Sequence, residues 1–261
     1  NGVKNDTISI AYYTGVSSTN ATRAIAGTGG TSGPAGGLDT SFATDGTLSV
    51  DLTGTPQSAY AIISQTDAKL IVGGAHTSAD KIISRHSVTG VLDTSFFTSG
   101  KNMTAAGPLI NTELIDLDID TVGRVYGAIR NQISVDESML VRFRTDGELD
   151  TAFNTNGKVV VTHTNQYTGG SVALYANEKP IFQAHKDGSG TERHIRRYEI
   201  DGSLDTTFST NGEVDWGADS PTNSSVGRIR IDTSGRVVSV NSDFVGGTTH
   251  YMRIVRFSTD G

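Results

Sequence analysis

The stretch GELDTAFNTNG occupies residues 147–157, and close variants recur as GGLDTSFATDG at 36–46, GVLDTSFFTSG at 90–100 and GSLDTTFSTNG at 202–212. The leucines that start the shared phrase, Leu38, Leu92, Leu149 and Leu204, lie 54, 57 and 55 residues apart. A period of that size is at the long end for propeller blades and too long for most helical solenoids. Leu and Phe stand four apart in each copy, as Leu38 with Phe42, Leu92 with Phe96, Leu149 with Phe153 and Leu204 with Phe208. One tight helical turn therefore puts both side chains on one side. The Asp after each Leu can cap that turn by accepting N–H groups from the residues beyond it, with the adjacent Thr assisting. The closing Gly of TDG, TSG and TNG supplies the positive φ that turns the chain into the next strand. The phrase thus reads as a connector between blades. Its two apolar side chains would plug the wedge between neighbouring sheets, a burial worth roughly 3–6 kcal/mol per copy before entropy is subtracted.

Between phrases the pattern divides into four short strands. In the first copy these are TLSVDL at 47–52, SAYAIIS at 58–64, LIVGGA at 70–75 and KIISRH at 81–86; KVVVTH, SVALYA, PIFQAH and HIRRYEI occupy matching places in the third. Each is β-branched or aromatic and bounded by Gly, Asp, Asn or Ser, as strands are. Four antiparallel strands repeated radially describe a β-propeller blade, which buries both faces only when stacked on neighbours. The expected fold is all-β: one propeller with a partial blade over residues 1–37 and full blades over 38–91, 92–148, 149–203 and 204–261. The chain opens on Asn1 and stops at RFSTDG, where other copies continue into x-L-D, so it is expected to be part of a longer polypeptide.

Seven residues before a phrase, or before where the next would start, stand Arg85, Arg142, Arg197 and Arg256. Two readings are open. The arginines could pair once per blade with a nearby carboxylate, such as the Asp of the phrase, stapling blades together. They could instead form a ring that gathers an anion on the axis.

Composition narrows the function classes. Net charge is −7 with both signs scattered, which argues against a phosphate-binding surface and hence a nucleic-acid partner. Zero Cys removes disulfides, thiolate metal sites and thiol catalysis. No apolar run approaches the about 18 residues of a membrane span.

The LDTSF phrase, the x-[DNS]-G that follows it, a mid-repeat D-x-x-G-[KR] turn and the period near 55 together resemble the delta-60 repeat family. The resemblance covers residues 38–261 and implies a propeller-like domain of a large bacterial secreted or surface protein, or of a virion protein such as a phage tail fibre. It implies no catalytic residues. The expectation that follows is a non-enzymatic structural or adhesion module, extracellular, on a cell surface or in a virion. Its partners would be a surface protein or glycan, or neighbouring segments or subunits of the parent assembly. QTDAK at 65–69 and ANEKP at 176–180 lack the turn Gly of DTVGR and DTSGR, so those two hairpins are free to turn differently.

Candidate chemistry is sparse. Asp116, Asp118 and Asp120 alternate along DLDID, so a strand would place three carboxylates on one face, where Ca²⁺ could bind. The competing reading is a solvated strand face whose last Asp starts the DTVGR turn. No other cofactor is expected. Trp216, the single Trp, lies at the edge of a loop that varies between copies. It is either a stacking platform for a sugar or protein partner, or a filler of the blade interior. The six His show no H-x-H or H-E-x-x-H spacing, though His76 and His185 fall at similar places just after a third strand. The alternative function, a propeller enzyme acting on polysaccharide, requires carboxylates from at least two blades around one pocket on the axis.

Overall fold

The computed structural model describes residues 8–11, 37–54, 57–76, 80–103, 112–131, 137–162, 170–185, 193–216, 222–245 and 249–261. The stretches that differ between copies of the repeat, 15–34, 102–112, 186–193 and 216–225, lie wholly or partly outside these residues. Among the described residues no helix is long and apolar enough to cross a membrane. The strands are β1 (Ile8–Ala11), β2 (Thr47–Val50), β3 (Gln57–Ser64), β4 (Leu70–His76), β5 (Asp80–His86), β6 (Lys101–Asn102), β7 (Thr112–Ile119), β8 (Val125–Asn131) and β9 (Glu137–Phe143). They continue with β10 (Lys158–Thr162), β11 (Gly170–Leu174), β12 (Pro180–His185), β13 (Arg193–Arg197), β14 (Glu213–Trp216), β15 (Thr222–Ile231), β16 (Val237–Val245) and β17 (Thr249–Arg256).

All paired strands are antiparallel. They build three four-stranded sheets, β3-β4-β5-β6, β7-β8-β9-β10 and β11-β12-β13-β14, with the three-stranded β15-β16-β17 and the two-stranded β1-β2 at the ends. The sheets stack face to face and share apolar cores. Ile71 and Ile83 of the first four-stranded sheet pack against Val125, Ile129, Met139 and Val141 of the second. Tyr126 and Leu140 of the second meet Phe182 and Ala184 of the third, and Ile181 and Ile195 of the third meet Ile229 and Val237 beyond it.

The sheets run out of step with the sequence period. β5 leads through the phrase at 90–100 into β6, which pairs back on β5; β9 leads to β10 and β13 to β14 in the same way. The phrase therefore joins the third and outermost strands of one sheet, and the expectation of a connector between blades is corrected. The reason lies in its hydrogen bonds. The carbonyls of Gly100, Gly157 and Gly212 accept the N–H of Arg85, Arg142 and Arg197 on the strand just left, so the chain must fold back on it.

Inside the phrase the backbone repeats almost atom for atom. Phe42, Phe96, Phe153 and Phe208 donate N–H to the carbonyl of the preceding phrase Asp, and the closing Gly donates to the Phe carbonyl. The side-chain oxygen of Asp39, Asp93, Asp150 and Asp205 accepts the N–H of Ser41, Ser95, Ala152 and Thr207, the residue two beyond it rather than the adjacent Thr. The plug is mainly the aromatic ring. Phe96, Phe153 and Phe208 are fully buried, whereas Leu92 and Leu149 are partly buried against a different core from their Phe partners and Leu204 is 38% exposed, so the two side chains do not fill one wedge together. The Leu instead covers the closing Gly. A Cβ on Gly157, at φ +81, would lie 2.4 Å from Leu149, which leaves that position to glycine.

The hairpins at QTDAK and ANEKP turn as the glycine-containing ones do. Ala68 and Glu178 occupy the left-handed region at φ 63 and 68, where Gly123 and Gly235 sit at 91 and 77. Ala68 N–H to Gln65 O matches Gly123 N–H to Asp120 O. The ladder imposes the turn, and a non-glycine residue tolerates a cost of about 1–2 kcal/mol.

Candidate functional site: the inner strands

The four arginines separate into three clamps and one exception. Arg85, Arg142 and Arg197 place Nε at 2.9, 2.7 and 2.6 Å from the carboxylates of Asp93, Asp150 and Asp205. The same guanidinium groups lie 4.8, 4.8 and 4.9 Å from the ring centroids of Phe96, Phe153 and Phe208. Each also donates to a carbonyl in the turn of the following repeat, of Thr145, Ile200 and Thr259. One side chain thus binds its own sheet, the plug and the next sheet. Hydrogen bonds from Ser95 and Lys69, with Arg85 adding to them, hold the Asp93 carboxyl well below the usual range. At Asp205 burial works the other way, and the bonds from Lys179, Thr207 and Arg197 outweigh it. These arginines are staples, not an anion ring. Arg256 is exposed, and among the described residues no carboxylate pairs with it.

The inner strands β3, β7, β11 and β15 touch one another in series. Arg228 of β15 also reaches the Tyr60 carbonyl of β3 at 3.4 Å. β7 carries an irregularity between Leu114 and Asp116, and β3 one between Ala59 and Ala61. Such bulges re-aim side chains. Tyr60 points its hydroxyl at Glu113, 3.2 Å away, and Glu113 is also paired with Arg130.

Asp116 is almost wholly buried. It accepts the Val172 N–H at 3.2 Å and the Ser171 hydroxyl, and Ser171 in turn accepts the Ile229 N–H at 2.9 Å. From β15, Arg228 and Arg230 approach the two Asp116 oxygens at 3.1 and 3.4 Å. Two residues on, Asp118 accepts the N–H groups of Leu174 and Ile119, each at 2.8 Å. Burial raises its pKa, partly offset by those bonds and by Arg230, while Asp116 adds to the rise. Asp120 does something else. It accepts the N–H of Val122 and Arg124 and pairs with the Arg124 guanidinium at 2.5 Å, capping the DTVGR turn. The three carboxylates expected on one face thus have separate partners: two latch β7 to β11, one of them also to β15, and the third shapes a hairpin.

Beside Arg228 an open groove of about 380 Å³ is lined by Gly227, Arg228, Val240, Asn241, Ser242, Tyr251 and Met252. Behind it a buried network ties the third sheet to the last: Gln183 donates to Asn241 at 2.6 Å, and Ser239 donates back to Gln183 at 2.5 Å. Among the described residues, His194, Glu213 and Asp215 come within 4.8 Å of one another. Glu213 there is engaged by Arg196 at 2.6 Å. Trp216 is half-buried, edge-on to Phe257 at 5.8 Å and capped by the Arg193 guanidinium at 4.8 Å, within the core between the third sheet and the last. The side chain of His185, whose place in the repeat is like that of His76, lies outside the described residues.

The carboxylates gathered at the inner strands among the described residues, Glu113, Asp116 and Asp118, come from one strand. The convergence of carboxylates from two blades that the enzyme alternative required is not seen among the described residues, where arginines of β15 stand opposite the carboxylates of β7. Tyr60, Ser171, Arg228 and Arg230 carry no motif. The one signal for them is their place on the strand that follows the outermost one in each period.

Residues 183–208 match a family described as a β-propeller domain of unknown function (DUF5122), which supports a β-propeller repeat family. No curated protein sequence matches this chain. Among solved structures, it is similar to a protein of unknown function from Dyadobacter fermentans, at 12% identity and a TM-score of 0.52. That match covers 77% of this chain and 53% of the other, so the chain spans about half of its length. It is also similar to a GH43 endo-arabinanase from Bacillus licheniformis, at 8% identity, TM-score 0.44, covering 77% and 72%. A third similar structure is a gluconolactonase from Xanthomonas campestris, at 13% identity, TM-score 0.41, covering 82% and 67%. Likeness at such identity reports fold. The expectations of a non-enzymatic structural or adhesion module, and of a chain that is no enzyme, are corrected to this extent: two of the similar structures bear the names of enzymes, and the fold by itself assigns neither role.

Proposed function

We propose that the chain is an enzyme that cleaves a polysaccharide, with proton transfer assigned to the carboxylates of β7. The observation that carries this reading is the contrast between Asp116 and Asp118. Two carboxylates stand two residues apart on an inner strand. Asp116 is ion-paired to Arg228 and Arg230, while the other has its pKa raised by burial. A carboxyl group that burial favours in its protonated form is suited to act as an acid. In this reading Asp118 is the acid, beside the ion-paired Asp116. Arg228 and the half-exposed Tyr251 of the adjoining groove bind the sugar. The architecture we propose is a propeller of the delta-60 type, with the three four-stranded sheets as full blades and the three-stranded and two-stranded sheets as partial ones. We also infer a place outside the cell, where a polymeric substrate of this kind would be met.

The test is release of oligosaccharides from a panel of neutral and acidic polysaccharides. Asp118→Asn should lower turnover by about 100-fold or more, with Asp118→Glu retaining part of it. The rate should fall as pH rises through the raised pKa of Asp118. Absence of cleavage across the panel, or an Asp118→Asn protein that is folded and fully active, overturns the assignment.

A further inference from the structure

The third four-stranded sheet departs from the second at one spot on its two outer strands, β13 and β14, and this sheet has neighbours on both faces. His194 stands three residues before Arg197, where Met139 stands three before Arg142 and Ile82 three before Arg85. Glu213 and Asp215 follow the closing Gly212 by one and three residues, where Lys158 and Val160 follow Gly157. Register puts these places side by side. His194 pairs directly with Asp215 as Met139 does with Val160, and Glu213 pairs with Arg196. An apolar pair and a lysine therefore satisfy the ladder in the second sheet, so the fold itself asks for no imidazole or carboxylate there. Alternate residues of a strand share a face, which sets His194, Asp215 and Glu213 on one side of the sheet. One donor atom from each lies within 4.8 Å of the other two. Their burial is graded: His194 is 1% exposed, Glu213 is half-buried and Asp215 is exposed.

We propose that His194, Glu213 and Asp215 bind one divalent transition-metal ion such as zinc. One imidazole nitrogen with two carboxylate oxygens is a donor set that suits zinc, whereas calcium and magnesium take oxygen ligands alone. Two carboxylates also offset the charge of the ion. Arg196 donates its Nε to Oε2 of Glu213 at 2.6 Å. That leaves the second oxygen of Glu213 for the metal and fixes the carboxylate as outer partners of metal ligands do. Tetrahedral ligation at about 2.1 Å brings ligand atoms about 3.4 Å apart, so the donors must close on the ion, and the exposed Asp215 is placed to do so. Three protein ligands leave the fourth position to water. The ion would tie β13 to β14. The site is separate from the β7 carboxylates on the inner strands and does not rest on the polysaccharide reading.

The probe is zinc chloride, titrated calorimetrically into the intact chain after treatment with a chelator. Saturable one-to-one binding is expected, with a higher melting temperature in zinc, while calcium and magnesium at the same concentration produce neither. In NMR spectra the ring signals of His194 should shift on zinc addition, and those of His76 and His86 on the first four-stranded sheet should not. Asp215→Asn and Glu213→Gln should each weaken binding about tenfold or more, and Asp215→Asn, at an exposed position, should leave the metal-free melting temperature unchanged. His194→Met takes the residue that the second sheet carries at this place and should abolish binding in a folded protein. The proposal is overturned by the absence of saturable zinc binding or by zinc shifts confined to other histidines. It is equally overturned if both carboxylate variants bind zinc as the parent does, or if calcium or magnesium binds with equal affinity.

Discussion

The phrase layer and the inner-strand layer of this protein obey different rules. At the phrases, three clamps superimpose in kind: arginine on aspartate, guanidinium on phenyl ring, and a bond to the next repeat. At the inner strands no two sheets use the same residues. Tyr60 with Glu113 joins the first four-stranded sheet to the second, while Asp116 with Ser171 joins the second to the third. Repetition marks what must be solved identically at each junction. Divergence marks where a junction is free to acquire chemistry, and it is there that charged groups of different sheets meet.

The largest expected effect breaks the phrase layer. Phe153→Ala leaves a cavity under Tyr126 and Leu140 and should cost about 3–5 kcal/mol by denaturant unfolding. Leu149→Ala, at a half-buried site, should cost clearly less; equal losses would restore the two-residue plug. Next comes the clamp. Arg142 is 2% exposed, and Arg142→Met strands the Asp150 carboxylate, for an expected loss of about 3 kcal/mol. Asp150→Asn in the same protein should restore part of it if the pair, rather than the arginine stem, carries the effect.

Acid titration sharpens the contrast further. Asp93 and Asp205 have folded pKa values below the unfolded value of about 3.9. Their contribution is complete above that value and is lost as pH falls through the folded pKa. Thermal unfolding should therefore hold steady from neutral pH down to about pH 5 and decline below about pH 4 as these clamps protonate. Asp205→Asn should flatten that decline, and an unchanged slope would remove the clamp as its source. The smallest effect lies in the hairpins. Ala68→Gly relieves a left-handed residue and should gain up to about 1 kcal/mol after the entropy of glycine is subtracted. No gain would mean that the turn is not strained.

The phrase, its period, four strands per period and the Arg–Asp pairing were legible because each depends on contacts that recur at fixed spacing. Leu, Asp, Phe and Gly must stand in register for one turn to close, and that register is written in the chain. The phase of the sheets was not legible. Whether the strand after a phrase pairs backward or forward depends on which carbonyls meet the arginine N–H, and both choices leave the sequence pattern unchanged. The inner site was hidden for a related reason. Asp116 lies more than 110 residues from Arg228 and Arg230 in sequence and meets them only across stacked sheets. Asp116, Asp118 and Asp120 are spaced alike but acquire different partners from β11, β15 and their own turn. Local spacing determined the repeating unit. Only the packing of distant strands decided which carboxylate was buried, which was paired and which merely ended a hairpin.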